Sequence, residues 1–432
     1  MAKLIIKNAR VIDPFTDTDD TFDILIEGER VKGVRGKREE RRGKREEGRG
    51  KREERKMINA KGLWVIPGLI DMHTHLREPG REDEETILSG TMGALKGGYQ
   101  AVVCMANTEP PVDNIGIVKY IREAQKVCEV YPVGAVTKGL KGVELSEIGD
   151  LVDAGCVAVS DDGMPIMDSF IMRRALEYCK QFNIPIISHA EDLNLSSGVM
   201  NEGIVSTELG LSGIPSCAEE SMVARDILLA KFTRSRLHIA HISTQGSVEL
   251  IRRAKKEGVN VTCEATPHHF SLTDECVRSF DTNYRINPPL RTEVDRKAII
   301  EGLIDDTIDA IATDHAPHAD FEKELEFDQA PSGVIGLETA LACGITYLVK
   351  PGFVDIKQLL RKFTLNPAKI FPIPVKGIST GEYANLAIVD PAREWVPQRF
   401  LSKSKNSPFI GKKLYGKVLY TFYKGKVYEW KD

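Results

Sequence analysis

Eight short apolar runs punctuate the middle of the chain and alternate with segments of helical pattern, a rhythm that constrains the fold more than any other feature. The runs are WVIPGLIDMH, YQAVVCM, VYPVGAV, CVAVS, IPIISH, LHIAHI, VNVTCE and IDAIAT, with helical patterns such as DSFIMRRALEYCKQF and EESMVARDILLAKF between them. Apolar strands that alternate with amphipathic helices are the signature of parallel β/α units. Eight such units close a barrel, so the expected fold class is α/β, a (β/α)8 or TIM barrel.

Both chain ends read differently. KLIIKNARVID and FDILIEGERVKGV at the start, and YANLAIVD and GKVLYTFYKGKVYEW at the end, alternate at a period of two and predict strands joined by turns. With 432 residues, 42% of them hydrophobic, the chain can bury a second, smaller core. The expectation is a small β-sandwich built from residues 1–66 and 377–432, with the barrel over 67–376 inserted between its halves. Within the first half, Gly36–Lys56 repeats GKREERR, GKREEGR and GKREERK with no apolar residue, carrying eleven Lys/Arg against six Glu. A seven-residue repeat without apolar positions has no seam to bury. It is expected to be a solvated insertion between two strands rather than a docking arm for RNA or an acidic partner.

In a closed β/α barrel the C-terminal strand ends converge on one mouth. The residues ending the runs here are His73 and His75, Asn107, Lys138, Asp161 and Asp162, His189, His241, Glu264 and Asp314. His73 and His75 stand two apart, the spacing that sends both imidazoles to one side of a strand. An isolated H-x-H is weak, but all nine histidines of the chain fall at or just beyond inferred strand ends. Imidazole and carboxylate donors without a thiol suit zinc or a similar divalent ion, which lowers the pKa of bound water to about 7. Asp314, in ATDHAPH, is placed to act as general acid and base, its alternative being a helix N-cap. Arg77 extends the alternation of His73 and His75 towards the mouth, where its fork suits a carboxylate; the alternative is a surface pair with Glu78 or Asp83.

Other classes find little support. A formal net charge of −4 argues against a nucleic-acid binder. The eight cysteines form no C-x-x-C pair, and they read as reduced core thiols. No apolar run approaches the length of a membrane span, and MAKLIIKNARVIDP is broken by charge, unlike a secretory leader; the cytoplasm is the expected location.

Taken in order, PGLIDMHTHLREPG, VVCMANTEPP, SDDGMPIMD, HAED, HIAHIST, CEATPHHF, INPPLR, IATDHAPH and APSGVIGLET resemble dihydroorotase of the longer bacterial type, within the amidohydrolase superfamily. Several of these motifs are shared with hydantoinases and allantoinases; Arg77 after H-T-H, M-A-N-T and D-D-G are similar to dihydroorotase. The resemblance implies that His73, His75 and Asp314 hold one zinc ion, that His189 and His241 hold a second, and that Asp162 bridges, where hydantoinases use a carboxylated lysine. Lys138 would be the fallback for such a lysine, and spacing alone does not choose Asp161 or Asp162. The resemblance further implies Arg77, Asn107 and His318 at a substrate carboxylate, with Asn287 near the ring. The reaction implied is reversible closure of N-carbamoyl-L-aspartate to L-dihydroorotate in pyrimidine synthesis. A homo-oligomer and an association with aspartate carbamoyltransferase are expected with it, the alternatives being a hydantoinase- or dihydropyrimidinase-like cyclic amidase and a non-catalytic subunit that scaffolds the transferase. Ala106 and Asn385 depart from the family pattern, which has proline and aspartate there.

Overall fold

The computed structural model describes residues 3–36 and 55–431. Eight strands pair side by side in chain order: β1 (Leu69–Thr74), β2 (Tyr99–Cys104), β3 (Glu129–Gly134), β4 (Ala158–Ser160), β5 (Ile186–Ser188), β6 (Leu237–Ile239), β7 (Val261–Ala265) and β8 (Ala310–Ile311). Every pairing is parallel. The ring closes just past its last strand. Thr74 bridges to His315 in parallel, His75 N donates to His315 O at 2.8 Å, and Asp71 accepts from Thr313 N at 2.8 Å and Thr313 Oγ1 at 2.7 Å. This bears out the α/β barrel expected from the eight runs.

Helices connect the strands, among them Ile87–Lys96, Ile115–Glu123, Ser169–Cys179, Cys217–Thr233, Gln245–Lys256 and Glu293–Ile304. Polar residues start them where the sequence places a cap. The side chains of Thr86, Asn114, Asp168, Thr244 and Thr292 each accept from first-turn N–H groups that the helix leaves without partners.

The two chain ends form one further eight-stranded sheet. Lys3–Asp13, Thr18–Glu27, Arg30–Gly36, Arg55–Asn59 and Trp64–Pro67 come from the first part of the chain, and Leu386–Trp395, Leu414–Tyr423 and Lys426–Glu429 from the last. Its own core includes Ile6, Val11, Ile24, Val65, Leu386 and Phe422. The run WVIPGLIDMH, which reads as a single strand, is divided. Trp64–Pro67 pairs with Arg10–Val11 and Leu386–Val389 in the terminal sheet, and Leu69–Thr74 opens the barrel. Gly68 is the hinge between them, where a Cβ would lie 2.6 Å from that of Gln100. Of the repeat Gly36–Lys56, residues 37–54 lie outside the described residues. Most cysteines are buried as expected, but Cys217 is exposed because it opens a helix at the surface.

Candidate metal and active site at the barrel mouth

Six side chains from five strand ends meet at the mouth. His73 Nε2 lies 3.4 Å from Asp162 Oδ1 and 3.7 Å from Asp314 Oδ1. His75 Nε2 lies 3.5 Å from Asp162 Oδ2 and 3.2 Å from Asp314 Oδ1. On the other side of Asp162, His189 Nδ1 and His241 Nε2 stand 3.5 Å and 3.6 Å from Oδ1, and 3.0 Å from one another. All six residues are buried.

Two observations fit this cluster to a cation. His73 Nε2 and Asp162 Oδ1 are buried atoms that make no hydrogen bond among the described residues, a costly arrangement unless something else binds them. The spacing also fits. Imidazole and carboxylate ligands about 2.0–2.2 Å from a tetrahedral zinc ion stand about 3.3–3.6 Å apart. His73, His75 and Asp314, and again His73, Asp162 and His241, bring donor atoms within 4.8 Å of one another. Backbone strain accompanies the geometry: His241 has φ +27° and Asp314 φ +46°, left-handed conformations that cost non-glycine residues about 1–3 kcal/mol each and persist only where the surroundings hold them.

The electrostatics follow from burial and proximity. Burial opposes ionisation of Asp162, yet His73, His189 and His241 hold its carboxyl well below the usual range. Burial opposes the charged form of His73 as well, and is outweighed by Asp162 and Glu264, which raise it well above its ordinary value. His189 is raised to about 10 against burial by Asp162 and Glu191. Asp314, against the same burial cost, is held below the carboxylate range by His75 and His73.

Asp161 and Asp162, indistinguishable by spacing, face opposite ways. Asp161 accepts from Val136 N at 2.8 Å and Thr137 N at 3.0 Å, and so ties β4 to the loop after β3; burial raises its pKa to about 6. Lys138 is turned away from the histidines and pairs with Glu144 and Glu147.

The other predicted residues ring this centre. Asn107 Oδ1 accepts from His75 Nδ1 at 2.8 Å. Asn287 Nδ2 donates to Glu191 Oε2 at 3.0 Å, and the same oxygen accepts from His189 Nε2 at 2.9 Å. Arg77 lies beyond the end of β1 with φ +60°, so strand alternation does not reach it. Its Nε donates to Pro317 O at 3.1 Å and stands 2.9 Å from Glu84 Oε2, a partner other than Glu78 or Asp83. His318 faces Glu84 Oε1 through Nδ1 at 3.0 Å and Ser332 O through Nε2 at 2.9 Å.

Three acidic residues join the site that the motif reading leaves without a role. Glu264, noted only as a strand end, accepts from His73 and from His238 Nε2 at 3.1 Å. Glu191 follows His189 by two and orients it. Glu84 has no signal beyond its place in an acidic loop. His269 is bonded to Thr266 and to Pro288 O, while His268 Nε2 is buried without a hydrogen bond and burial lowers its pKa well below the ordinary value.

Two relatives are near enough to decide the family. The chain is 52% identical over 430 residues to the dihydroorotase of Acetivibrio thermocellus, with 98% of each covered, and 49% identical over 435 residues to that of Geotalea daltonii, covering 99% of this chain and 100% of the relative. This chain belongs to the dihydroorotase family. The family model described as Dihydro-orotase-like matches residues 62–247, the stretch of this dihydroorotase-family chain that carries His73, His75, Asp162, His189 and His241. Among solved structures, the L-hydantoinase of Arthrobacter aurescens superposes with a TM-score of 0.84 at 24% identity, covering 99% of this chain and 96% of that one. The dihydropyrimidinase of Brevibacillus agri gives 0.83 at 21%, covering 98% and 94%. At these identities the likeness concerns the barrel and the terminal sheet.

Proposed function

We propose that the protein is a metal-dependent cyclic amidohydrolase that interconverts N-carbamoyl-L-aspartate and L-dihydroorotate, water being lost on ring closure. The observation that carries this reading is the convergence of His73, His75, Asp162, His189, His241 and Asp314 at donor spacing, two of their buried atoms lacking hydrogen bonds. Relatives about half identical over the whole chain are named dihydroorotases.

In this reading His73, His75 and Asp314 would hold one zinc ion, and Asp162, His189 and His241 would offer the donors for a second. The metal, when present, supplies a Lewis acid and water ionised near neutral pH. Asp314, held ionised by its imidazole neighbours, accepts the proton of the attacking water and returns it to the departing ring nitrogen; in cyclisation the same carboxylate runs the transfer backwards. Arg77, Asn107 and His318 bind the substrate carboxylate, and Asn287 lies at the ring. Asn107 and Asn287 also bond His75 and the Glu191–His189 pair, which couples substrate position to the histidines. The reading extends to a cytoplasmic homo-oligomer able to associate with aspartate carbamoyltransferase, and to the divisions of the chain after residues 66 and 376.

A hydantoinase has less support. The hydantoinase structures share 20–24% identity with this chain, and Lys138 pairs with Glu144 instead of facing the histidines. The deciding experiment gives purified protein dihydroorotate, hydantoin and dihydrouracil before chelation, after chelation and after zinc is restored. Ring opening of dihydroorotate that chelation abolishes and zinc restores is expected; faster opening of either neutral ring overturns the substrate assignment.

A further inference from the structure

One acidic group next to the mouth is used neither by the metal candidates nor by the proton transfer. Glu84 is 2% exposed, and its carboxylate is shared among three partners. Oε2 stands 2.9 Å from Arg77 Nε. Oε1 accepts from His318 Nδ1 at 3.0 Å and stands 3.2 Å from an Arg81 terminal nitrogen. Its backbone is tied down on both sides, since Glu84 N donates to Arg81 O at 3.0 Å and Ser404 Oγ donates to Glu84 O at 2.6 Å. A carboxylate buried this deeply is tolerated only when paired, and removing one partner leaves the others exposed to the full cost of desolvation.

Although Glu84, His318 and Glu322 offer three donor atoms in one place, Arg81 stands 2.8 Å from Glu322 and both arginines stand against Glu84, so guanidinium groups already balance the acidic pair. The cluster is an ion-pair network, and its geometry has a consequence for recognition. Arg77 and His318 come from opposite ends of the barrel's sequence, and each is a long or rotatable side chain. Glu84 is the one acidic group within hydrogen-bond reach of both among the described contacts. It holds Arg77 by Nε, and it holds the His318 ring by Nδ1 while Nε2 faces Ser332 O.

We propose that Glu84 is a positioning residue for substrate selectivity: by gripping Arg77 and His318 together it sets the pair to receive a carboxylate-bearing ring, with His318 Nε2 exchanging Ser332 O for the substrate carboxylate, and disfavours neutral cyclic amides. This rests on the assignment of Arg77 and His318 to the substrate carboxylate made above. Pre-organised charged donors lose less on binding than donors that must first be ordered. Loss of Glu84 therefore weakens binding of the carboxylate and leaves the proton transfer at Asp314 intact.

The test uses the full-length zinc-loaded enzyme with Glu84→Gln, which keeps the size and removes the charge, and Glu84→Asp, which keeps the charge. For Glu84→Gln the KM for dihydroorotate and the inhibition constant of orotate are expected to rise together by about 10- to 100-fold, the range for a lost hydrogen bond to a charged group, while kcat changes less than threefold and metal content is unchanged. Glu84→Asp is expected to recover part of the affinity, and it serves as the readout should Glu84→Gln fail to fold. A fall in kcat at constant KM, or no change in either constant, overturns the proposal. A wild-type enzyme inert towards dihydroorotate would instead overturn the assignment of function, so the two failures are distinct.

Discussion

His73 Nδ1 stands 2.8 Å from Glu264 Oε1, a contact that turns the opposite ring nitrogen, Nε2, towards Asp162, 3.4 Å away. Burial works against a charged Glu264, but the two imidazoles of His238 and His73 bring it down to about 2, so the acceptor stays ionised at any working pH. A carboxylate behind a ligating histidine orients the ring and raises its basicity, and its loss costs about 10- to 100-fold in metal affinity or activity. Glu264→Gln should weaken zinc binding by that factor in chelator competition, with activity returning at saturating zinc. Unchanged zinc affinity would show that His73 is not a ligand.

Asp314 lies three residues past the end of β8 and within reach of both His73 and His75. Its replacement by Asn keeps the shape and an oxygen donor but removes the proton acceptor. General acid and base catalysis contributes roughly 10² to 10⁴ in rate, so Asp314→Asn should lower kcat for dihydroorotate by that factor with KM changed little. Metal analysis of the same sample separates this from loss of the ion: full activity in Asp314→Asn with zinc bound would remove Asp314 from the chemistry.

The barrel and most of the mouth were legible in the sequence because both depend on local signals. Apolar runs bounded by caps mark strands and helices, and topology carries their polar ends to one place. The division of WVIPGLIDMH at Gly68 was not legible, since strands in two buried sheets give one uninterrupted apolar run, and only the close approach of Gln100 shows where the chain changes sheet. Asp161 and Asp162 could not be told apart because the strand ends at Ser160 and what each carboxylate meets depends on the β3 loop. Glu84 acts through His318, 234 residues away, a distance at which sequence pattern carries no information, whereas Glu191 stands only two residues from the histidine it orients and its second partner, Asn287, lies 96 residues on. Alternation brought Arg77 to the mouth by the wrong route, because its backbone has already left the strand.

Lys323 ties down the loop that follows it. Its Nζ donates to Pro331 O at 2.9 Å and to Gly333 O at 3.2 Å. Burial, helped by nearby Arg285 and opposed by Asp281 and Glu322, lowers its pKa from 10.5 to about 7. The folded value lies below the unfolded one, so between about 7 and 10.5 the unfolded chain holds a proton that the folded chain has released, and this group adds stability as pH rises through that window. The melting temperature of wild type should therefore gain on that of Lys323→Met from pH 7 to pH 10. A constant difference across the range would place the amine in water.

Gly333 stands where the same loop meets His318, and its conformation leaves no room for another residue. Its φ is +143°, and a Cβ there would lie 2.9 Å from both His318 Nε2 and Ala316 Cβ and 3.0 Å from Ala316 O. The loop cannot easily shift to make space, because Gly333 N donates to Arg285 O at 3.0 Å and Gly333 O accepts from Asn406 Nδ2 at 3.0 Å as well as from Lys323. Strain of this kind costs about 1–3 kcal/mol, which in a chain this long lowers the melting temperature by only about 1–3 °C. The larger effect should be on binding: Gly333→Ala displaces the His318 ring, and the KM for dihydroorotate is expected to rise about tenfold with kcat nearly unchanged. Ser332→Ala is the control, since Ser332 meets His318 through its backbone carbonyl, and it should leave both constants as they are. Equal KM values for wild type and Gly333→Ala would mean that His318 does not touch the substrate, whatever the loop contributes to stability.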